Sequence, residues 1–355
     1  MRIAGLLATA LLLCLTAGAQ TNSYTVTPIV NNTQDSYLIN PWGLSRPVSS
    51  SLGENEWWVS DNGTGYTTLY YADKTGGQSL APLVISIPSA SGTVHGSPTG
   101  TAYNAAVGPG PGKENFTFAT LDGTISNWNA GQKPAPGGTR CYACHVNNAT
   151  IMVNNSSSGA VYTGLTLITN ATTNALTYYA ANNHGGVEAY DAASFIPVPL
   201  SGKFSDPKIP AAYKPYGVQA VGSLIVVTFF NGASGGYVDA FDTNGNLKGR
   251  AAQGAFSQPW GVALAPANFG AFSNMLLVGN TTSGWIAAYN PKTGAFKGFL
   301  NDSTGSPITI PGLWAISFGN GNPESGPTNT LYYNGGGSYT TGVFGAITAN
   351  EPTPD

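Results

Sequence analysis

Residues 258–300 hold a unit that recurs along the whole chain, and this recurrence restricts the fold more than any other feature. The unit reads QPWGVALAP, a short irregular link, MLLVGN, TTSG, WIAAYNP, KTG and AFKGFL. Its four apolar or aromatic runs are too short for independent helices and suit strands. The links are built from Asn, Gly, Ser, Thr and Pro, which tolerate tight turns. One unit is therefore a four-stranded antiparallel meander. A lone sheet of this kind cannot bury two apolar faces, and stacking copies around an axis solves the problem.

Six openings can be aligned: NPWGL at 40–44, SPTG at 97–100, YTGL at 162–165, PYGV at 215–218, QPWGV at 258–262 and PGLW at 311–314. The sixth unit has runs for only three strands. The alternating segment YTVTPIV at 24–30 precedes the first unit and has no partner of its own. Pairing it into the last sheet would close the ring and remove the open edges. The fold expected is an all-β, six-bladed β-propeller of four-stranded antiparallel blades, spanning 20–349, with its last blade completed by the N-terminal strand. One segment, roughly 131–148 in the second unit, has no counterpart elsewhere.

Residues 1–19 read as a secretory leader. Arg2 is the basic start, 6–15 the apolar core, and Ala17-Gly18-Ala19 the small-residue cleavage site. No apolar run near the length of a membrane span follows, so the mature chain is expected to be exported, periplasmic or extracellular. Only 8% of residues are charged and the net charge is −3. That is far below the roughly 25% charged residues of typical domains and provides no basic surface for nucleic acid. Hydrophobic residues make up 42% of the chain, enough for a large core.

Asn62, Asp122, Asn182, Asn231, Asn280 and Asn334 each follow the second apolar run of their unit. Hairpin chemistry accounts for this, because Asn and Asp adopt left-handed conformations and bond their own backbone. The alternative is a ring of amide oxygens around one channel mouth, with Asn62, Asn182 and Asn231 as candidate metal ligands. The recurrence of one residue type in all units favours the structural account.

The combination of NPWGL, PYGVQAVG, GGYVDAFDTNGNL, QPWGVALAPANFGAFSNMLLVGN, GLWAISFGNG and LYYNGG resembles an uncharacterised family of exported bacterial propeller proteins. Some members of that family carry a PEP-type C-terminal sorting signal read by exosortase, and the family is similar in fold to NHL-type six-bladed propellers. The resemblance covers nearly all of the mature chain. The tail at 350–355 lacks an apolar helix or basic cluster, so secretion without sorting is expected. Some six-bladed lactonases hold a metal with Asn, Asp and Glu, which makes a metal-dependent lactonase-like hydrolase one rival reading of the Asn ring.

The 131–148 insertion carries Cys141-Tyr142-Ala143-Cys144-His145. C-x-x-C-H is the attachment pattern for covalent haem c, with the histidine as proximal ligand. Met152, His95, His184, Met275 or solvent would supply the sixth position, and Met152 is nearest in sequence. The flanks are polar, whereas haem needs an apolar pocket. The other reading of the same two cysteines is a Cys141–Cys144 disulfide pinning a loop in an oxidising compartment. Metal or redox thiol chemistry is a third reading; all three stay open on sequence, and a single-haem electron-transfer protein is the first rival to a binding module.

His95 and His184 read as polar turn residues, and Glu54 and Glu56 as a solvated turn. Gly335-Gly336-Gly337 precedes no helix and is not a phosphate loop. Trp42, Trp260 and Trp314 recur at the innermost strands and read as packing between blades rather than a carbohydrate platform. The functional expectation is a binding or scaffold module rather than an enzyme. Its partner would be a protein, glycan or small molecule held at a propeller mouth.

Overall fold

The computed structural model describes residues 21–47, 55–93, 95–105, 115–129 and 147–350. The leader at 1–19, Glu54, and the Cys141, Cys144 and His145 motif lie outside the described residues.

The N-terminal strand is β1 (Tyr24–Asn31). Blade 1 follows with β2 (Pro41–Ser45), β3 (Trp57–Asp61), β4 (Tyr66–Tyr70) and β5 (Leu80–Ser86). Blade 2 has β6 (Pro98–Asn104), β7 (Asn115–Thr120) and β8 (Thr124–Asn129), then, after the short β9 (Asn147–Asn148), β10 (Thr150–Asn154). Blade 3 consists of β11 (Tyr162–Thr169), β12 (Leu176–Asn182) and β13 (Val187–Asp191). Blade 4 runs β14 (Lys214–Val221), β15 (Leu224–Phe230), β16 (Tyr237–Phe241) and β17 (Leu247–Arg250). Blade 5 contains β18 (Pro259–Leu264), β19 (Leu276–Asn280), β20 (Ile286–Tyr289) and β21 (Phe296–Phe299). Blade 6 supplies β22 (Ile316–Phe318), β23 (Leu331–Gly335) and β24 (Val343–Ala349). The first strand of each blade is innermost, and these strands neighbour one another around the axis until β22 meets β2. Strand β1 completes blade 6 by pairing antiparallel with β24, from Tyr24–Ala349 to Asn31–Val343. The six-bladed ring and its N-terminal closure are as the repeat predicts.

Two blades depart from four antiparallel strands. Blade 3 has three, with a single bridge from Tyr190 to Pro197 in place of a fourth. Val198 N still donates to the Ala189 carbonyl and Asp191 N to that of Ile196, but Pro197 brings no N–H and the ladder stops. Blade 1 gains a fifth strand, because β9, at the end of the insertion, pairs parallel with Ile85 and Ser86 of β5.

The apolar residues sort by seam, as expected of sheets that cannot bury themselves. Trp58, Ile85, Phe116 and Trp128 pack between blades 1 and 2, and Tyr179, Val227 and Phe241 between blades 3 and 4. Leu277, Ile286, Leu313 and Leu331 pack between blades 5 and 6. Trp58 stacks on Phe116 at 3.6 Å across its seam.

The repeated opening is a bulge. Register slips in the innermost strand between Pro41 and Leu44, Pro98 and Thr101, Tyr162 and Gly164, Pro215 and Val218, and Pro259 and Val262. Proline cannot donate to the ladder, and a bulge accommodates it. The glycine that follows is required by the next blade. A Cβ on Gly43 would meet the Thr99 carbonyl oxygen, on Gly100 the Leu165 amide, on Gly217 the Trp260 carbonyl oxygen, and on Gly261 that of Trp314.

Blade 4 carries a buried ion-pair group. Arg250 Nε lies 3.1 Å from Asp239 Oδ1, and the same guanidinium pairs with Asp206. Burial pushes the Asp239 carboxyl up to about 6, against the pull of Arg250. Its folded pKa exceeds the unfolded value of about 3.9, so between pH 4 and 6 the native state binds the extra proton. The associated stability is complete below about pH 4 and lost as pH rises through 6. Wild type should therefore lose about 1–3 kcal/mol between pH 4 and 7 through this group, read from urea midpoints. D239N should lack that component of the slope, and an unchanged slope would refute the assignment.

Candidate functional site

Each blade's second strand ends beside the start of its innermost strand, so the loops from second to third strands surround one mouth of the channel. Pro41 pairs with Asp61, Pro98 with Thr120, Tyr162 with Asn182 and Pro259 with Asn280. The recurrent Asn residues gather on this face.

Their side chains bond the chain itself. Asn62 Oδ1 accepts from Asn40 Nδ2 at 3.1 Å, and Asn62 Nδ2 donates to the Pro98 carbonyl of the next blade at 3.1 Å. Asn182 Oδ1 accepts the amides of Val161 and His184, both at 3.1 Å, while its Nδ2 donates to Glu188 Oε1. Asn231 Oδ1 accepts the amides of Ala233 and Ser234. Asp122 and Asn280 accept the amides of Ser97 and Ser257. Asn334 Nδ2 crosses from blade 6 to the Gly43 carbonyl of blade 1 at 2.9 Å. An amide oxygen has two lone pairs, so a cation at Asn182 or Asn231 would compete with main-chain amides for both. Among the described residues, no three His, Cys, Asp or Glu side chains come together in a metal-binding arrangement.

The floor of the mouth is aromatic. Trp42 of blade 1 stacks on Trp314 of blade 6 at 3.6 Å and 17°. Trp260 of blade 5 meets both edge-on at 6.2 and 5.9 Å, and Tyr216 of blade 4 lies 6.2 and 6.1 Å from the same pair. All three tryptophans are buried. They meet on the axis, where the sequence reading placed them between blades. The glycine after Trp42, Tyr216 and Trp260 faces the seam, which leaves the bulged aromatic to point inward; Trp314 is followed by Ala315 instead. Trp260 Nε1 donates across the channel to the Thr163 carbonyl at 2.8 Å. On the far side of this plug, Leu44, Thr101, Leu165, Val218, Gln219 and Ile316 help line a small axial cavity of about 20 Å³. Among the described residues, the lining of this cavity holds no carboxylate, imidazole or thiol.

Two residues of the rim are held in unusual backbone conformations. Asn40 and Gln258, which precede Pro-Trp-Gly in blades 1 and 5, have φ of 46° and 58°, a region that Asn enters readily and that is strained for Gln. Asn40 Oδ1 accepts Trp314 Nε1 at 3.3 Å. Gln258 Nε2 donates to the Tyr216 hydroxyl at 2.7 Å, and its Oε1 accepts from Thr282 at 2.8 Å. Burial pushes the Tyr216 hydroxyl well above its ordinary value, the Gln258 hydrogen bond opposes this, and neighbouring Tyr339 raises it further. The repeat of N/Q-P-W-G marks these positions in the sequence, but not their backbone conformation or the bridges they make.

The remaining candidates lie apart. The exposed His95 sits between Ser86 Oγ, 2.7 Å from Nδ1, and Tyr66 OH, 2.8 Å from Nε2. His184 Nδ1 is 3.0 Å from the Gly159 carbonyl. Met275 packs against the core of blades 5 and 6, and Met152 is 42% exposed on β10. Glu56, read from sequence as a solvated turn, is 8% exposed and hydrogen-bonds the Tyr71 side chain; beside it, Asn55 N donates to Glu324 Oε2 of blade 6. Glu188, not singled out by sequence, accepts from the hydroxyls of Tyr162 and Tyr190, both at 2.6 Å, in a polar cluster at the seam of blades 2 and 3.

No family model matches the chain. It is similar to an uncharacterized protein of Acanthamoeba polyphaga mimivirus, 26% identical over 342 residues covering 89% of this chain and 82% of that protein. A second uncharacterized protein of the same virus is 27% identical over 215 residues, which span 56% of this chain and 37% of that protein. Among solved structures, the chain is similar to one in a nidogen/laminin complex (11% identical, TM-score 0.47, covering 76% of this chain and 81% of that one). It is also similar to one in BBS1N in complex with ARL6DN (11% identical, TM-score 0.48, covering 88% and 80%). The resemblance to exported bacterial propellers therefore rests on its motifs alone.

Proposed function

We propose that this chain is an exported, non-catalytic binding module that takes its ligand at the channel mouth bearing Asn40, Gln258 and Tyr216. The observation that carries this reading is the mouth's construction: an aromatic floor, with the rim amides of Asn40 and Gln258 bonded to neighbouring blades and Gln258 held in strained backbone. Strain of this kind persists where the surroundings over-determine it, and it clusters at ligand sites. Export rests on the leader at 1–19. The test is retention of the purified chain on arrays of immobilised glycans and peptides, repeated with Q258A. Loss of retention with an unchanged urea midpoint is expected, and retention that ignores the change would move the site elsewhere.

A second reading is favoured by the Cys141-Tyr142-Ala143-Cys144-His145 motif, with Met152 exposed on the strand that follows. Haem bound there would supply one-electron transfer, with Cys141 and Cys144 as attachment points and His145 as proximal ligand. Met152 suits the distal role better than His95, whose two ring nitrogens both have partners, or the packed Met275. Expression in a host that attaches haem c discriminates the readings. A Soret band surviving denaturation establishes covalent haem, whereas a colourless protein with no free thiols establishes the Cys141–Cys144 disulfide.

A further inference from the structure

The rim of the mouth continues outward over the seam of blades 5 and 6, where Trp285 and Tyr339 are respectively 37% and 82% exposed. These two aromatics belong to one continuous surface. The Trp285 indole N–H donates to Thr309 Oγ1 at 3.2 Å, which fixes the ring beside the segment 309–311. Gly284, at φ +71°, leaves no room for a side chain against Ile310. On the other side, Gly312, at φ +59°, presses against the Gly336 carbonyl, and a Cβ on Gly337 would lie 3.0 Å from Pro311 Cβ. Backbone thus touches backbone from the Trp285 loop to the Tyr339 loop, and both rings stand on a rigid base.

The chemistry of this surface is narrow. Segments 280–285, 303–314 and 335–342 contain no charged residue. Their exposed side chains are largely hydroxyls, among them Thr282, Thr309, Ser338 and Thr340. A polyion would find no counter-charge in these segments. A sugar ring offers an apolar C–H face to an aromatic ring and hydroxyls to the Thr and Ser around it, matching the amphipathic character of exposed Trp and Tyr.

We infer that this seam binds a neutral glycan chain, with Trp285 and Tyr339 as stacking platforms and the hydroxyls beside them as hydrogen-bonding partners. The inference rests on the reading of the mouth as a ligand site and names the ligand's class. Trp285 supplies a preorganised platform because its indole is already held. Tyr339 supplies an adaptable one, its ring 82% exposed.

The test is affinity electrophoresis of the full chain through gels containing soluble β-glucan, galactomannan, xylan or soluble starch, with alginate and gelatin as comparison gels. Retardation by at least one neutral glycan is expected, and it should not change when salt is raised across a range that would screen ionic contacts. Y339A, at a side chain too exposed to threaten folding, should weaken binding about tenfold, and W285A similarly, each worth roughly one aromatic contact. Y339F should keep most of the affinity. Absence of retardation in all four neutral gels would overturn the inference, as would retardation that Y339A leaves intact. Salt-sensitive retardation by alginate alone, or retardation by gelatin alone, also overturns it. If Q258A abolishes that other binding, the mouth reading survives with a different ligand class; if it does not, both readings fail.

Discussion

Gly261→Ala is expected to lower the stability of the whole ring by about 3 kcal/mol or more, at the top of the range for overpacked interiors. A Cβ on Gly261 would enter the Trp314 carbonyl oxygen and approach the Ile316 amide at 2.9 Å. Both are backbone atoms of the next blade's innermost strand, so no rotamer change relieves the clash. Relief requires blades 5 and 6 to separate, which opens the seam where Leu277, Ile286, Leu313 and Leu331 pack. It also displaces Trp314 from its stack on Trp42. Two glycines calibrate the measurement. Gly164→Ala should fall between, since its Cβ would lie 3.1 Å from Val218 N. Gly249→Ala, on an exposed strand with nothing within 4 Å, should stay within about 0.5 kcal/mol of the parent. Urea unfolding of the three variants orders them. If Gly261→Ala and Gly249→Ala unfold together, close approach at the axis is not what sets the ring's dimensions.

These glycines also show which features could be read from the sequence. The Pro-aromatic-Gly opening marked the innermost strands of blades 1, 4 and 5, looser versions of it marked the other three, and the surplus strand at 24–30 matched the deficit in the last unit. Both are periodic signals, repeated or missing at a fixed interval. The departures carry no such signal. Asn147–Asn148 has neither apolar periodicity nor length, so its parallel pairing with β5 cannot be anticipated. Pro197 ends the blade 3 ladder within a run that otherwise resembles a strand. At the mouth, the recurrence of Asn was visible, but its work was not, because an amide can serve main-chain donors or a ligand with the same atoms. Position on the axis was also hidden. Trp42 and Trp260 look like seam residues until the bulge before the following glycine is known to turn them inward. Tyr339 gave no signal, since a tyrosine in a Gly-Ser-Thr loop becomes informative only when its exposure is known.

Removal of residues 21–31 should abolish the folded monomer. Strand β1 is the outermost strand of blade 6, yet it holds three blades together. Tyr24 is buried between blades 6 and 5. Its hydroxyl donates to the Phe269 carbonyl and accepts the Phe272 amide, each at 3.1 Å, and its ring lies 5.0 Å from that of Phe269. Burial there pushes the Tyr24 hydroxyl up to about 12. Ile29 and Val30 pack with Trp57, Tyr332 and Phe344 on the seam of blades 6 and 1. Burying each such side chain stabilises by about 1.5–3 kcal/mol, and together they approach the 5–15 kcal/mol that keeps a typical domain folded. The truncation also bares the β24 edge, whose unpaired amides and carbonyls offer a template to another chain. The truncated protein should therefore elute as aggregate on size exclusion. Adding a synthetic peptide of residues 21–32 during refolding should restore monomer, because the missing strand needs only to pair, not to be covalently joined. Tyr24→Phe separates the hydrogen bonds from the strand: it should cost about 1 kcal/mol and leave the monomer intact. A truncated chain that remains monomeric with the parent's urea midpoint would mean that the ring is held by its seams alone, with β1 merely lying along its edge.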